Sequence, residues 1–155
     1  MSRWSAIARS GPWDADQIVE HLQASRIPLR LACTGTGFPL LASLWFLADE
    51  GALWAATRAD AEVVRRLTAN ARCAFEVAAD SPPYRGVRGF AEATVLPERG
   101  AAVLERLLTR YDQQGTDLAR WLLGRAEDEV ALRIAPVRWT SWDYANRMQP
   151  SSAGR

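Results

Sequence analysis

From Arg85 to Leu96 the chain alternates without a break: Val87, Gly89, Ala91, Ala93 and Val95 fall on one face, and Arg88, Phe90, Glu92 and Thr94 on the other. Successive side chains of a strand point to opposite faces, so a run of this length commits the chain to a sheet with one buried side. The small residues on that side predict tight curvature or a close neighbour. Other segments read in the same register. Ile27 to Thr34 is predicted as a strand, Gly35-Thr36-Gly37 as a turn, and the nearly continuous apolar run Phe38 to Ala48 as a strand buried on both faces. Asp49-Glu50-Gly51 turns the chain into Ala52 to Thr57, closing a hairpin. Cys73, Phe75 and Val77 alternate with Ala74, Glu76 and Ala78 until Pro82-Pro83 ends the run. A last strand is predicted from Glu129 to about Trp142, with Val130, Leu132 and Ile134 inward.

Helices fill the gaps. Asp14 before Ala15, with Gln17 three residues on, forms a capping box, and Trp13 can staple against Ile18. Ile18 and Leu22 share the inner face of that helix, while His21 turns away and reads as a solvated surface residue. Asp60 to Asn70 places Val63, Val64 and Leu67 on one side. Arg99 to Tyr111 carries two apolar rows, Val103 with Leu107 and Leu104 with Leu108, and Thr116 to Arg125 is a further short helix. The result is an α+β chain of five or six antiparallel strands with peripheral helices, built on a sandwich or small barrel. Residues 1–26 are read as an N-terminal helical segment, 27–148 as the single domain, and 149–155 as a frayed, disordered tail. The strands join as hairpins rather than βαβ units, and no GxGxxG or GxxxxGK[ST] occurs, so a Rossmann or P-loop nucleotide site is excluded.

Composition narrows the chemistry. All 19 basic residues are Arg, which removes lysine Schiff bases and lysine phosphate clamps; any anion site must use Arg forks or backbone N–H groups. Against 18 acidic residues these leave a net charge of +1, which argues against a nucleic-acid partner. Cys33 and Cys73 lie far apart and His21 is the only histidine, so metal-ligand spacing is lacking and no metal site is expected. With no long apolar run and no signal-peptide core after Met1-Ser2-Arg3-Trp4, a cytoplasmic protein without a membrane partner is expected.

Side-chain acid–base catalysis has no visible constellation, and no catalytic residue stands out. Three segments could bind a ligand instead. Leu53 to Val63 runs from a strand into a helix start, where free N–H groups, the Thr57 hydroxyl and the Arg58 fork would suit a phosphate. Alternatively, Thr57 and Asp60 form a capping box that takes those N–H groups themselves. In Tyr84 to Gly89, Gly86 and Gly89 permit close backbone approach, with Arg85 and Arg88 beside them; a bulge with solvated arginines is the competing reading. Trp45, Trp139 and Trp142 lie at strand ends, where a planar ligand could stack, or where a core or subunit interface would bury them.

At these residues the sequence resembles the pyridoxamine 5'-phosphate oxidase-like family of FMN-binding split barrels. The resemblance covers roughly Ile27 to Met148 and rests on Pro28-Leu29-Arg30-Leu31-Ala32, Leu44-Trp45-Phe46-Leu47 through Asp49-Glu50-Gly51 to Ala56-Thr57, Arg85 to Gly89, and Ile134-Ala135-Pro136 leading to Trp142-Asp143. It implies an antiparallel six-stranded split β-barrel and a homodimer with FMN at its interface. It further implies an oxidoreductase in which flavin carries the redox step on a small organic substrate. Ser43, Leu44 and Trp45 would lie along the ring, Ala56, Thr57 and Arg58 on the phosphate side, and Gly86, Arg88 and Trp142 on the strands facing the ring. The serine and lysine of the family's phosphate motif are replaced here by Ala61 and Val63, which leaves the phosphate to Arg58, to Arg65 or Arg30, and to the backbone. Leu44 and Trp45 stand where basic residues hold the vitamin B6 phosphate in the true oxidases. A non-catalytic protein of the same fold that binds or stores flavin, deazaflavin or haem is the alternative that the resemblance allows, with deazaflavin or haem as the alternatives to FMN.

Overall fold

The computed structural model describes residues 2–148; the expected tail at 149–155 lies outside them. Its spine is a long antiparallel pair, β7 (Arg85–Leu96) and β8 (Glu129–Asp143), in register from Arg85↔Asp143 to Leu96↔Ala131 with a bulge at Phe90/Ala91. β6 (Arg72–Ala78) and then β2 (Leu29–Cys33) and β3 (Leu40–Leu44) add on the β7 side. On the β8 side lie β5 (Ala52–Arg58) and then β4 (Leu47–Asp49). The sheet order is β3-β2-β6-β7-β8-β5-β4. Its curled inner face carries the main core, including Leu29, Leu31, Phe75, Val87, Leu132, Ile134 and Trp139. Four helices cover the periphery: α1 (Ala15–Ala24), α2 (Glu62–Ala69), α3 (Gly100–Arg110) and α4 (Asp117–Leu123). This is the expected α+β split barrel.

Two differences raise the strand count to eight. The apolar run from Phe38 to Ala48 is not one strand buried on both faces. It breaks at Trp45-Phe46 into β3, which pairs with β2, and β4, which pairs with β5. In β3 only Leu40, Ala42 and Leu44 pack on the core, while Leu41 is 67% exposed. Since β3 and β4 lie at opposite edges of the sheet, the two-residue corner between them draws those edges together. Phe46 drives the corner inward: it is fully buried, and its backbone N–H donates to the Tyr111 hydroxyl at 3.2 Å. After β4, Glu50 and Gly51 both take positive φ, as the tight hairpin into β5 requires. The second difference is β1 (Ala8–Ser10), which lies in the segment expected to be purely helical and adds to β8 as the one parallel pair.

Local expectations hold at α1, where Asp14 accepts from the Gln17 N–H at 2.9 Å and the Gln17 side chain returns the bond to the Asp14 N–H. His21, however, is no solvated residue: it is half-buried, 5.0 Å from the Trp13 ring, and 3.0 Å from the Val77 carbonyl. Burial holds its pKa below the ordinary value, assisted by Arg85 and opposed by the Val77 bond, so the neutral ring with its Nε2–H donating ties α1 to β6. Trp139 is likewise no ligand platform. It is fully buried and stacks on Trp4 at 5.7 Å. Cys33 and Cys73 stand opposite each other on β2 and β6 as free thiols, and burial pushes Cys73 up to about 12.

Because Phe46 fills the corner that joins the sheet's edges, Phe46→Ala should cost about 3–5 kcal/mol in chemical denaturation. Phe38→Ala, at a position 91% exposed, should stay within about 0.5 kcal/mol. Equal losses for the two variants would contradict this account.

Candidate functional site

Where β3 and β5 run out beneath α3 and α4, a cleft of about 410 Å³ opens. Six of the residues expected at a ligand site line it together: Ser43, Leu44 and Trp45 from the end of β3 and the corner, and Ala56, Thr57 and Arg58 from the end of β5. Trp45 is held flat by stacking on Tyr111, with ring centroids 4.8 Å apart and planes 11° apart. The far wall comes from residues that carried no local sequence signal: Leu104 and Leu107 of α3, Trp121 of α4, and Arg125 and Glu129 beyond it. α4 is placed by Thr116, whose hydroxyl accepts from the Ala119 N–H at 3.1 Å.

The cleft's charges are already arranged. The Arg58 fork is taken by Asp60, with bonds of 2.9 and 2.8 Å. Of the two sequence readings of this turn, the capping box is not observed: α2 starts at Glu62 after an N-cap, Ala61, that makes no side-chain bond, and Asp60 caps nothing, so no side chain takes the N–H groups of the helix start. The Arg125 guanidinium lies 4.7 Å from the Trp121 ring. Glu129, opposite Arg58 in the β5–β8 register, is only 6% exposed. Burial raises its pKa, Arg125 and Arg58 pull the other way, and Asp128 adds to the rise. The Arg58–Asp60 pair is half-exposed and an aromatic face leaves Arg125 its N–H donors, so both guanidiniums stay open to an anion at the mouth of the cleft. The apolar and aromatic walls around these few polar groups suit a planar, largely uncharged ring. Among the described residues no histidine, cysteine or methionine lines the cleft, so haem finds none of its usual axial ligands among them.

The remaining expected residues lie elsewhere. Arg88 and Trp142 share the outer face of the sheet, with the Arg88 guanidinium 5.6 Å from the Trp142 ring. Gly86 sits beside them for packing reasons, since a Cβ there would fall 2.7 Å from the Val77 carbonyl oxygen. Across this face Ser43, Arg30, Glu76, Arg88 and Thr140 form one cross-strand row. The row borders an apolar groove of about 570 Å³ that includes Leu41 and Phe90. Arg65 belongs to neither place: it is exposed on α2 and paired with Glu62, near a hollow beside Gly35. Among the described residues no cluster of histidine, cysteine or acidic side chains could hold a metal, and no helix is long and apolar enough to cross a membrane.

With this geometry the protein can be compared with known ones. No family model matches the sequence, and no curated protein matches it. Solved structures do. A conserved hypothetical protein of Mycobacterium tuberculosis superposes with a TM-score of 0.75 at 25% identity, over 93% of each chain. An F420 reductase follows at 0.66 and 23% identity, covering 77% of this chain and 94% of its own. A Listeria innocua protein described as a pyridoxamine 5'-phosphate oxidase reaches 0.62 at 18% identity, over 84% of this chain and 97% of its own. The fold is the pyridoxamine 5'-phosphate oxidase-like split barrel. Within that split barrel the cleft lies where the two edges of the sheet meet, floored by strand ends and roofed by α3 and α4.

The sign of Glu129's shift gives a test. A carboxyl whose folded pKa is raised leaves stability intact below the ordinary glutamate pKa, about 4.3, and removes it as pH rises through the folded value. Glu129→Gln should therefore melt higher than the parent at pH 7, with the difference shrinking by pH 4. A gap that is constant with pH would contradict the assignment.

Proposed function

We propose that this chain is the protomer of a homodimeric oxidoreductase that binds FMN, or a deazaflavin in its place, and acts on a small organic substrate in the cytoplasm. The observation that carries the reading is the cleft itself: three residues expected along the ring of FMN and three expected on its phosphate side come together there between aromatic and aliphatic walls. Hydride transfer to or from a small organic molecule is the chemistry such a ring supplies when bound. The chain's own part is position and exclusion of water. Trp45, fixed by Tyr111, gives a rigid flat wall, Leu104 and Trp121 close the opposite side, and Thr57 and Glu129 provide the polar groups at the floor. The charged tail of the cofactor is left to the mouth of the cleft, where Arg58 and Arg125 stay open to an anion. The free thiols Cys33 and Cys73, facing each other unbonded, accord with a reducing compartment.

The second copy docks on the outer groove. Leu41 and Phe90 are each 67% exposed there, and Val137, at the bulge of β8 opposite Phe90/Ala91, is 58% exposed, an apolar surface that a monomer would leave wet. Beside it, the Arg30–Glu76–Arg88 row alternates in sign, so a two-fold related copy can set its glutamate against an arginine. Ser43 belongs both to this face and to the cleft rim, which brings the interface to the mouth of the site.

Titrating the cofactor-free protein with FMN, FAD and a deazaflavin should give saturable binding, with a shifted visible band, for at least one. No uptake of any of the three would overturn the proposal. Light scattering should find a dimer for the parent and a folded monomer for Phe90→Asp; a monomeric parent would remove the second copy from the account.

A further inference from the structure

We propose that Glu129 is the specificity-determining residue of the cleft, its carboxylate accepting a hydrogen bond from a lactam or imide N–H on the edge of the bound planar ring. This rests on the reading of the cleft as a ring site and goes further, by assigning which edge of the ring enters first.

Glu129 is placed by main chain rather than by a flexible surface stem. It opens β8, stands opposite Arg58 in the sheet register, and its carbonyl is pressed against α3 so closely that a Cβ on Gly100 would come within 2.0 Å of it. Glu129 is thereby anchored through its backbone against α3. It is also more than nine-tenths buried while still lining the cleft, so the cleft is its opening to solvent.

The two neighbouring cations have other partners. Arg58 forks onto Asp60 and Arg125 lies over Trp121. An ionised carboxylate is purely an acceptor and has room for several donors, and burying one without them is costly. A ligand that brings an N–H to this point offsets the cost. The carboxylate itself disfavours a phosphate beside it, so the N–H edge points to Glu129 and a phosphorylated chain points away from it. The apolar walls formed by Trp45, Leu104 and Trp121 constrain the rest of the molecule to be flat and uncharged.

Lumiflavin and 3-methyllumiflavin differ at this single N–H, and neither carries a phosphate. Fluorescence quenching should show the parent protein binding lumiflavin at least tenfold more tightly than the methylated ring. Glu129→Leu should abolish that preference, and Glu129→Gln, which keeps an acceptor oxygen, should restore part of it. Equal affinities for the two rings in the parent protein, or an undiminished preference in Glu129→Leu, would overturn the inference while leaving the cleft a ring site. Failure of the parent to bind either ring would overturn both.

Discussion

The corner at Trp45-Phe46 is the constraint on which the rest of the molecule depends. It joins strands at opposite edges of the sheet, and two residues of chain cannot span a flat sheet of this width. The sheet must therefore curl until its edges meet. The burial of Phe46 and its N–H bond to Tyr111 hold the meeting point. The cleft is a consequence of that closure. Strands that end where the edges converge leave a gap, α3 and α4 roof it, and the same Tyr111 that anchors Phe46 also backs the Trp45 wall.

Electrostatics inside the cleft follow from a chain without lysine. A guanidinium is planar and readily takes two partners or an aromatic face. Both arginines at the cleft are engaged in those ways, one by a carboxylate fork and one by an indole. The fork is half-exposed, and an aromatic face leaves a guanidinium its N–H donors, so the cleft presents cations as well as the buried Glu129 acceptor.

Much of the scaffold was legible because alternation and helical spacing are local. Ile18 with Leu22, Val63 with Leu67, Cys73 through Val77 and the whole of Arg85 to Leu96 sit where their periods place them. The apolar run from Phe38 to Ala48 was misread because hydrophobicity alone does not distinguish a strand buried on both sides from two strands meeting at a corner. His21 was misread for a related reason: it lies off the apolar face of its own helix, yet Trp13 and the Val77 carbonyl come to it from other elements. In the cleft, Trp45 and the β5 residues were legible as strand ends, but Ser43 and Leu44 read as the interior of a longer strand, Leu104 as ordinary core and Glu129 as the ordinary start of the last strand.

The amino-acid sequence by itself determined most of the strands, the four helices, the Asp14 capping box and the reliance on arginine, since each of these is set by residues within one or two turns of one another. Only the tertiary structure decided that Arg58 is paired with Asp60, that Arg88 and Trp142 share an outer face away from the cleft, and that Glu129 is buried at its floor. Those facts depend on residues distant along the chain, such as Gly100 against Glu129 and Thr57 against Val130. Sheet closure brings them together, and no local pattern encodes which partner will be there.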